Sequence, residues 1–167
     1  MGLVQVLNPT AVFCNDRERY YTMLSVADTG TTEGLEAWCI YVLKGVKDEI
    51  AKVDRLTDYA YLKHSILTPA VTFARQREWI TKTEEAVLNK SITDRIVKSA
   101  DLASVLPDLS GSQRTYLIKK LVSQGMLLPI NEGARQYTIG FSNNYLMRGV
   151  IKGLREQGFI PQPLENP

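Results

Sequence analysis

The chain contains 167 residues, of which 44% are apolar, and it carries a net charge of +2. Length and composition fit one generous globular domain or two small ones, and so small a net charge does not by itself indicate nucleic-acid binding. No apolar run approaches the ~20 residues that a membrane span needs, and the N-terminus lacks the basic start and long apolar stretch of a signal peptide. We therefore expect a cytoplasmic protein without membrane contact, whose Cys14 and Cys39 stay reduced.

Charge is distributed unevenly along the chain. Residues 1–75 contain 8 Lys and Arg against 9 Asp and Glu, a net charge of −1, whereas residues 76–167 contain 12 against 9, a net charge of +3. The excess comes from residues 110–136, which hold four basic residues and one acidic residue. This asymmetry is compatible with DNA binding and equally with a solvated surface.

The first half of the sequence predicts two helices that belong to a bundle. Asn15 and Glu18 have the spacing of a capping box, and Gly30 ends the helix that they begin. A second helix starts at Thr32, and its apolar residues recur in steps of three and four over about twenty residues. These apolar residues are Leu35, Trp38, Cys39, Val42, Val46, Ile50, Val53 and Leu56.

The predicted domain boundary lies in the middle of the sequence. Thr68-Pro69 punctuates the chain, and a short helix follows it. The stretch 74–79 is polar apart from its ends, so we predict a helical segment over residues 1–75 and a winged-helix domain over residues 76–160. A helix from Thr81 or Thr83 to about Asn89 begins the second domain. The proline-rich tail, residues 161–167, is expected to fray.

Residues 99–139 have the pattern of a winged helix. Ser99 begins a short helix that Pro107 stops. Ser110 and Gln113 form a capping box for the next helix, and Gly125 suits a left-handed cap at its C-terminus.

The β-hairpin of this pattern follows directly. Residues 126–130 and 136–139 are predicted strands, and residues 131–135 between them are the wing. A last helix begins at Asn143 or Asn144 and ends at Gly158. The predicted fold class is therefore mainly α: a helical bundle segment followed by a winged helix-turn-helix with a small β-hairpin.

The helix after Ser110 has a polar face of the size and chemistry of a recognition helix. Arg114 falls on its apolar side and is expected to snorkel instead of reading bases. We predict DNA contacts from the polar face and from the wing, and a packing or protein-contact role for this face is an equally weighted alternative. The predicted DNA-binding residues are Ser112, Gln113, Tyr116, Lys119, Lys120 and Arg135.

No residue pattern predicts catalysis, a cofactor or a metal site. The one histidine, His64, is interpreted as a surface or boundary residue. The sequence contains no glycine-rich phosphate loop, no HExxH and no cluster of Cys and His ligands. Trp38 and the Tyr20-Tyr21 pair are interpreted as core residues.

Residues 15–43 resemble the segment that follows the catalytic motif in proteins of the Fic family. The matching features are Asn15-Asp16-Arg17, a helix with Tyr20-Tyr21-x-x-Leu24, the break Asp28-Thr29-Gly30, and an aromatic-rich helix over residues 35–43. Long members of that family continue into a winged helix with a Gly-Phe-x-Pro-like tail, which here is Gly158-Phe159-Ile160-Pro161. The resemblance covers nearly the whole chain in order and architecture.

Fic proteins transfer AMP from ATP to a target hydroxyl with a His-x-Phe-x-(Asp/Glu)-Gly-Asn-Gly-Arg motif. That motif is absent here, and His64 has none of its neighbours. The resemblance therefore implies the part of a Fic-type AMP-transferase that lies downstream of the active site, a non-catalytic regulatory module that binds DNA or a partner protein. Without the upstream helices, the apolar face around Trp38 and Val42 lacks a cover, so we expect self-association through the helical segment.

Two further interpretations stay open. A stand-alone transcriptional regulator like those of the MarR group also has helices on both sides of a winged helix, where they act as dimerisation arms. Alternatively, the winged helix serves protein contact only.

Overall fold

The protein is mainly helical with one small two-stranded antiparallel sheet, which confirms the predicted fold class. The computed structural model describes Phe13 and residues 16–160, so the predicted cap at Asn15 and the predicted fraying tail lie outside the described residues. The chain divides into two compact units, residues 1–58 (unit 1) and residues 59–167 (unit 2). Among the described residues, no helix has the length and apolar character that crossing a membrane requires.

Unit 1 is a pair of helices joined by a tight turn. Helix α1 spans Arg17–Ala27 and α2 spans Thr32–Arg55. Asp16 caps α1 by accepting a hydrogen bond from the Arg19 amide at 2.9 Å, and Thr31 caps α2. Gly30 has φ +68° and allows the reversal between them.

The two helices of unit 1 approach closely where α2 begins. A Cβ atom at Gly34 would lie 2.4 Å from the Val26 carbonyl oxygen, so only glycine fits there. Beyond this contact, the rings of Tyr20, Trp38 and Tyr41 form a half-buried aromatic cluster. The ring centres of Tyr20 and Trp38 lie 5.9 Å apart, and those of Trp38 and Tyr41 lie 5.8 Å apart.

Unit 1 has no core of its own among the described residues, since Gly34 is its one buried residue. Trp38 and Val42, around which an uncovered apolar face was predicted, are half-buried. Six large apolar side chains of unit 1 are exposed, and two of them, Leu35 and Ile50, belong to the predicted apolar stripe; the six are Tyr21, Val26, Leu35, Ile40, Leu43 and Ile50. A helix pair gains most of its stability from packing apolar side chains, and these six remain exposed.

Unit 2 begins with three short consecutive helical segments. These are α3 (Tyr59–Leu62), a π-helical turn (Lys63–Leu67) and α4 (Thr68–Gln76). Helix α4 packs against the last helix, α7 (Asn144–Glu156), where a Cβ atom at Gly149 would lie 2.6 Å from the Ala70 carbonyl oxygen.

The division between the units therefore falls earlier than the boundary predicted after residue 75. That boundary lies inside α4, whose buried Val71 and Ala74 belong to the core of unit 2. The polar residues that suggested a linker lie on the exposed side and at the end of this helix. With the division after Asp58, the charges separate further: 6 basic against 9 acidic residues in unit 1 (−3), and 14 against 9 in unit 2 (+5).

The remainder of unit 2 has the element order of a winged helix. Helix α5 spans Lys82–Asp94, one turn of 3₁₀ helix spans Asp101–Ser104, and α6 spans Gly111–Ser123. Strands β1 (Leu127–Pro129) and β2 (Tyr137–Ile139) pair antiparallel, with Leu128 opposite Thr138. Val97 and Tyr137 exchange two backbone hydrogen bonds and so form a third short strand segment. This segment was not predicted from the sequence.

The core of unit 2 lies between α4, α5, α6, α7 and β1. Its largest fully buried side chains include Leu88, Ile92, Leu121 and Leu146. Helix α6 ends as predicted, because Gly125 has φ +68° and the Met126 amide donates to the Leu121 carbonyl at 2.9 Å.

Candidate nucleic-acid interface

Helix α6 is held at its start by the predicted capping box. The Gln113 amide donates to the Ser110 hydroxyl at 3.3 Å, and the Ser110 amide donates to the Gln113 side-chain oxygen at 2.8 Å. Arg114 points back into the preceding turn and donates to the Leu109 carbonyl at 2.5 Å. Arg114 is not on the polar face, as expected, but its guanidinium binds a backbone carbonyl, with Nε buried, instead of snorkelling to solvent.

One side of α6 borders a cleft between the Val97 strand segment and the wing. The cleft has a volume of about 550 Å³. Its floor includes Ile118 and Tyr137, and the Ser99 and Thr115 hydroxyls lie 2.9 Å apart at its edge. We call it the winged-helix cleft.

Three cations from three separate segments line the winged-helix cleft. Lys98 follows the Val97 strand segment, Lys119 projects from α6, and Arg135 belongs to the wing. No carboxylate lines this cleft, and none of these cations forms an ion pair with another residue between positions 16 and 160. The arrangement is a positively charged surface that extends over three elements.

Lys98 was missed in the sequence analysis. Its position beside the wing depends on the pairing of Val97 with Tyr137, which spans forty positions of the sequence. The Lys98 amide also donates to the Asp101 carboxylate at 2.8 Å, which fixes the backbone at this point. The available signal was the short β-segment between α5 and the next helix. This segment is too short to show the alternation of apolar and polar residues that identifies a strand in a sequence.

Lys120, although adjacent to Lys119, does not line the winged-helix cleft. Its ammonium group forms an ion pair with Glu84 Oε1 at 2.7 Å, and the Glu84 side chain is only 5% exposed. The other carboxylate oxygen, Oε2, accepts from the Thr81 amide at 2.7 Å as part of the capping box of α5. Lys120 thus connects the predicted recognition helix to the start of α5.

The electrostatics of this pair agree with its geometry. Burial is the largest single influence on Glu84 and raises its pKa. The hydrogen bonds from Lys120 and Thr81, together with the Lys120 charge, outweigh burial and leave the pKa of Glu84 below its usual value. The hydrogen bond and the charge of Glu84 in turn raise the pKa of Lys120. Both groups are therefore charged near neutral pH.

The other predicted contact residues lie on the exposed face of α6. Tyr116 is 71% exposed, the highest value among the large apolar and aromatic side chains described. Ser112 is exposed and its hydroxyl lies 3.0 Å from that of Ser110. Gln113 is exposed, but its side-chain oxygen is used by the cap. Tyr116 and Lys119 are thus the side chains of this face with the most freedom to meet a ligand.

Within residues 16–160, no group of three or more His, Cys, Asp and Glu residues has the arrangement of a metal site. His64 is exposed in the π-helical turn, and Cys39 is an exposed thiol on α2.

Comparison with known proteins adds no relative: no protein-family model matches the chain, and no curated protein matches it.

Proposed function

We propose that this chain is a non-catalytic binding module whose winged helix contacts duplex DNA. The observation that carries the proposal is the convergence of Lys98, Lys119 and Arg135 on one cleft without a carboxylate. A DNA backbone carries closely spaced negative charges, and each neutralised phosphate adds to affinity by releasing counterions. A cleft lined by Lys98, Lys119 and Arg135 matches that charge pattern.

The proposed DNA contacts divide into two kinds. Lys98, Lys119 and Arg135, which line one cleft beside α6, serve as phosphate contacts that set its register. Tyr116, on the exposed face of α6, approaches the base edges of the major groove. Lys120 acts indirectly, because its ion pair with Glu84 sets the position of α6.

The test is duplex binding by fluorescence anisotropy at ~50 mM salt, where few phosphate contacts give a dissociation constant on the order of 1–100 μM. The variant Lys98→Gln/Lys119→Gln/Arg135→Gln is expected to lose binding. The matched control, Lys44→Gln/Lys47→Gln, removes two exposed charges from α2 and is expected to retain it. Absence of duplex binding by the wild type, or equal binding by the triple variant, would refute the DNA role; retention of a partner protein instead would favour a protein-contact winged helix.

The same proposal includes self-association through unit 1 with a second copy of the chain. The exposed Leu35, Leu43 and Ile50 of α2 and the absence of a buried side chain in the described part of unit 1 support it. Two-fold dimers are common among winged-helix and helix-turn-helix DNA-binding proteins, since each subunit meets one half-site. We expect a dimer by light scattering at micromolar concentration and a monomer for Leu43→Glu; a wild-type monomer contradicts this part.

The resemblance to the Fic family supports the further proposal that this module belongs downstream of an AMP-transferase active site. A reading frame in phase that encodes Gly-Asn-Gly-Arg upstream would support it. The open apolar face of unit 1 favours a second candidate, a stand-alone MarR-like regulator with helical dimerisation arms. An assay of AMP transfer from labelled ATP is expected to be blank for this chain under both proposals, and activity would overturn them.

A further inference from the structure

A second cationic cleft of unit 2 lies apart from the elements that form the winged-helix cleft. It is a cavity of about 460 Å³ between α4, the turn that follows α4, and α7. The residues that matter for its chemistry are two aromatic side chains and four cations. They are Phe73, Trp79, Arg77, Arg148, Lys152 and Arg155.

An unusual helix end shapes this cleft. Glu78 has φ +59°, a left-handed conformation that non-glycine residues seldom adopt. It reverses the chain after α4, so that the Trp79 amide donates to the Ala74 carbonyl at 3.1 Å. The Trp79 ring then meets the edge of Phe73 at 5.6 Å and stacks on Tyr145 at 5.0 Å.

The aromatic rings hold the cations in place. The Arg77 guanidinium lies over Phe73 at 5.4 Å from the ring centre, and Arg148 lies over Trp79 at 5.7 Å. The Lys152 ammonium lies 5.6 Å from the centre of the Phe73 ring. Such contacts restrict long side chains while their donor hydrogens stay available to a ligand, which lowers the cost of ordering them on binding.

The charge of this cleft is strongly positive. Glu156 forms an ion pair with Lys152, which leaves a net charge of +3 from four cations and one carboxylate. Within residues 16–160, Arg77, Arg148 and Arg155 form no ion pair. Like charges brought this close repel one another unless an anion neutralises them.

We propose that this cleft binds a small, multiply phosphorylated molecule. Guanidinium groups bind phosphate oxygens in pairs of parallel hydrogen bonds, which arginine does better than lysine. A chain of two or three phosphates matches the net charge of the cleft, and the volume lies in the range of small-molecule sites. The ligand would bridge α4 and α7, the two helices that frame this side of unit 2.

The test is isothermal titration calorimetry of the full chain with inorganic tripolyphosphate at ~50 mM salt. Each guanidinium removed is expected to weaken binding by about tenfold, so Arg77→Gln/Arg148→Gln should lose about a hundredfold. Both side chains are exposed, and circular dichroism verifies that the variant folds. Arg155→Gln alone provides a second variant with about a tenfold loss. Lys44→Gln/Lys47→Gln is the control and should bind as the wild type does.

Three outcomes overturn the proposal. The first is no tripolyphosphate binding by the wild type. The second is equal binding of citrate, which would indicate unspecific attraction of anions. The third is an Arg77→Gln/Arg148→Gln variant that keeps tripolyphosphate affinity but loses duplex affinity, since the cleft would then belong to the DNA interface. Because the two clefts have no lining residue in common, failure here leaves the proposed DNA binding standing.

Discussion

Lys119 and Lys120 are neighbours of equal charge that we expect to differ in function. Lys119 lines the winged-helix cleft with two other cations, whereas Lys120 is bound to the buried carboxylate of Glu84. The perturbation is the replacement of each lysine separately by glutamine, which retains length and removes the charge. Duplex affinity is then measured by fluorescence anisotropy over a range of salt concentrations, and stability by thermal unfolding.

The expected magnitude follows from the number of phosphate contacts. Three cations give a slope of log affinity against log salt of about −2.7, so raising salt from ~50 to ~200 mM weakens the wild type about 40-fold. Lys119→Gln leaves two contacts and a slope of about −1.8, so the same increase weakens binding only about 12-fold. At ~50 mM salt this variant should also bind more weakly than the wild type.

Lys120→Gln is expected to leave the salt slope unchanged and to lower the melting temperature. Glu84 would keep its capping hydrogen bonds but lose the cation that compensates a carboxylate only 5% exposed. Equal lowering of the slope by both variants would contradict these different roles of Lys119 and Lys120. A wild-type melting temperature for Lys120→Gln would contradict them as well.

Three further predictions concern the fold of unit 2. Gly149→Ala should lower the free energy of unfolding in urea by about 1–3 kcal/mol, because the added Cβ atom would overlap the Ala70 carbonyl. Gly153→Ala, whose Cβ atom meets nothing closer than 3.5 Å, should raise it by about 0.5–1 kcal/mol; equal effects would contradict the packing described. The pKa of Glu84 lies lower in the folded protein than its usual 4.5, so its stabilisation is complete above that pH and is lost as pH falls through the folded value. Melting temperature against pH should therefore be flatter for Glu84→Gln, and parallel curves would contradict this. Glu78→Gly should stabilise by about 1 kcal/mol by relieving the left-handed φ, and a lower melting temperature would contradict the strain.

Local patterns predicted much of this fold from the sequence. The capping box of Ser110 and Gln113, the left-handed Gly125 and the Asn143 cap of α7 depend on residues a few positions apart, and all three occur. The boundary predicted after residue 75 falls within α4, because a polar stretch resembles a linker whether it is exposed helix or loop. The packing of Gly149 on Ala70 distinguishes these alternatives, and it joins positions far apart in the sequence.

The candidate site was only partly predictable for the same reason. A helical wheel of α6 assigns Lys119 and Lys120 to one polar face. It shows no other helix, and therefore not the ion pair that Lys120 forms with Glu84 of α5. Likewise, Lys98 reaches the cleft because the preceding Val97 pairs with Tyr137 of β2. The second cationic cleft joins α4 to α7 and has no contiguous sequence signal.

Site-specific cross-linking shows whether the exposed face of α6 contacts DNA. A photoreactive phenylalanine derivative replaces Tyr116, which is 71% exposed on α6, or Tyr21, which is 63% exposed on the acidic unit 1. Both variants are irradiated with a labelled duplex at ~50 mM salt, where phosphate contacts are strong enough to hold it. We predict a cross-link from position 116 that disappears when Lys98, Lys119 and Arg135 are replaced by glutamine, and none from position 21. No cross-link from position 116, or equal cross-linking from position 21, would contradict the account.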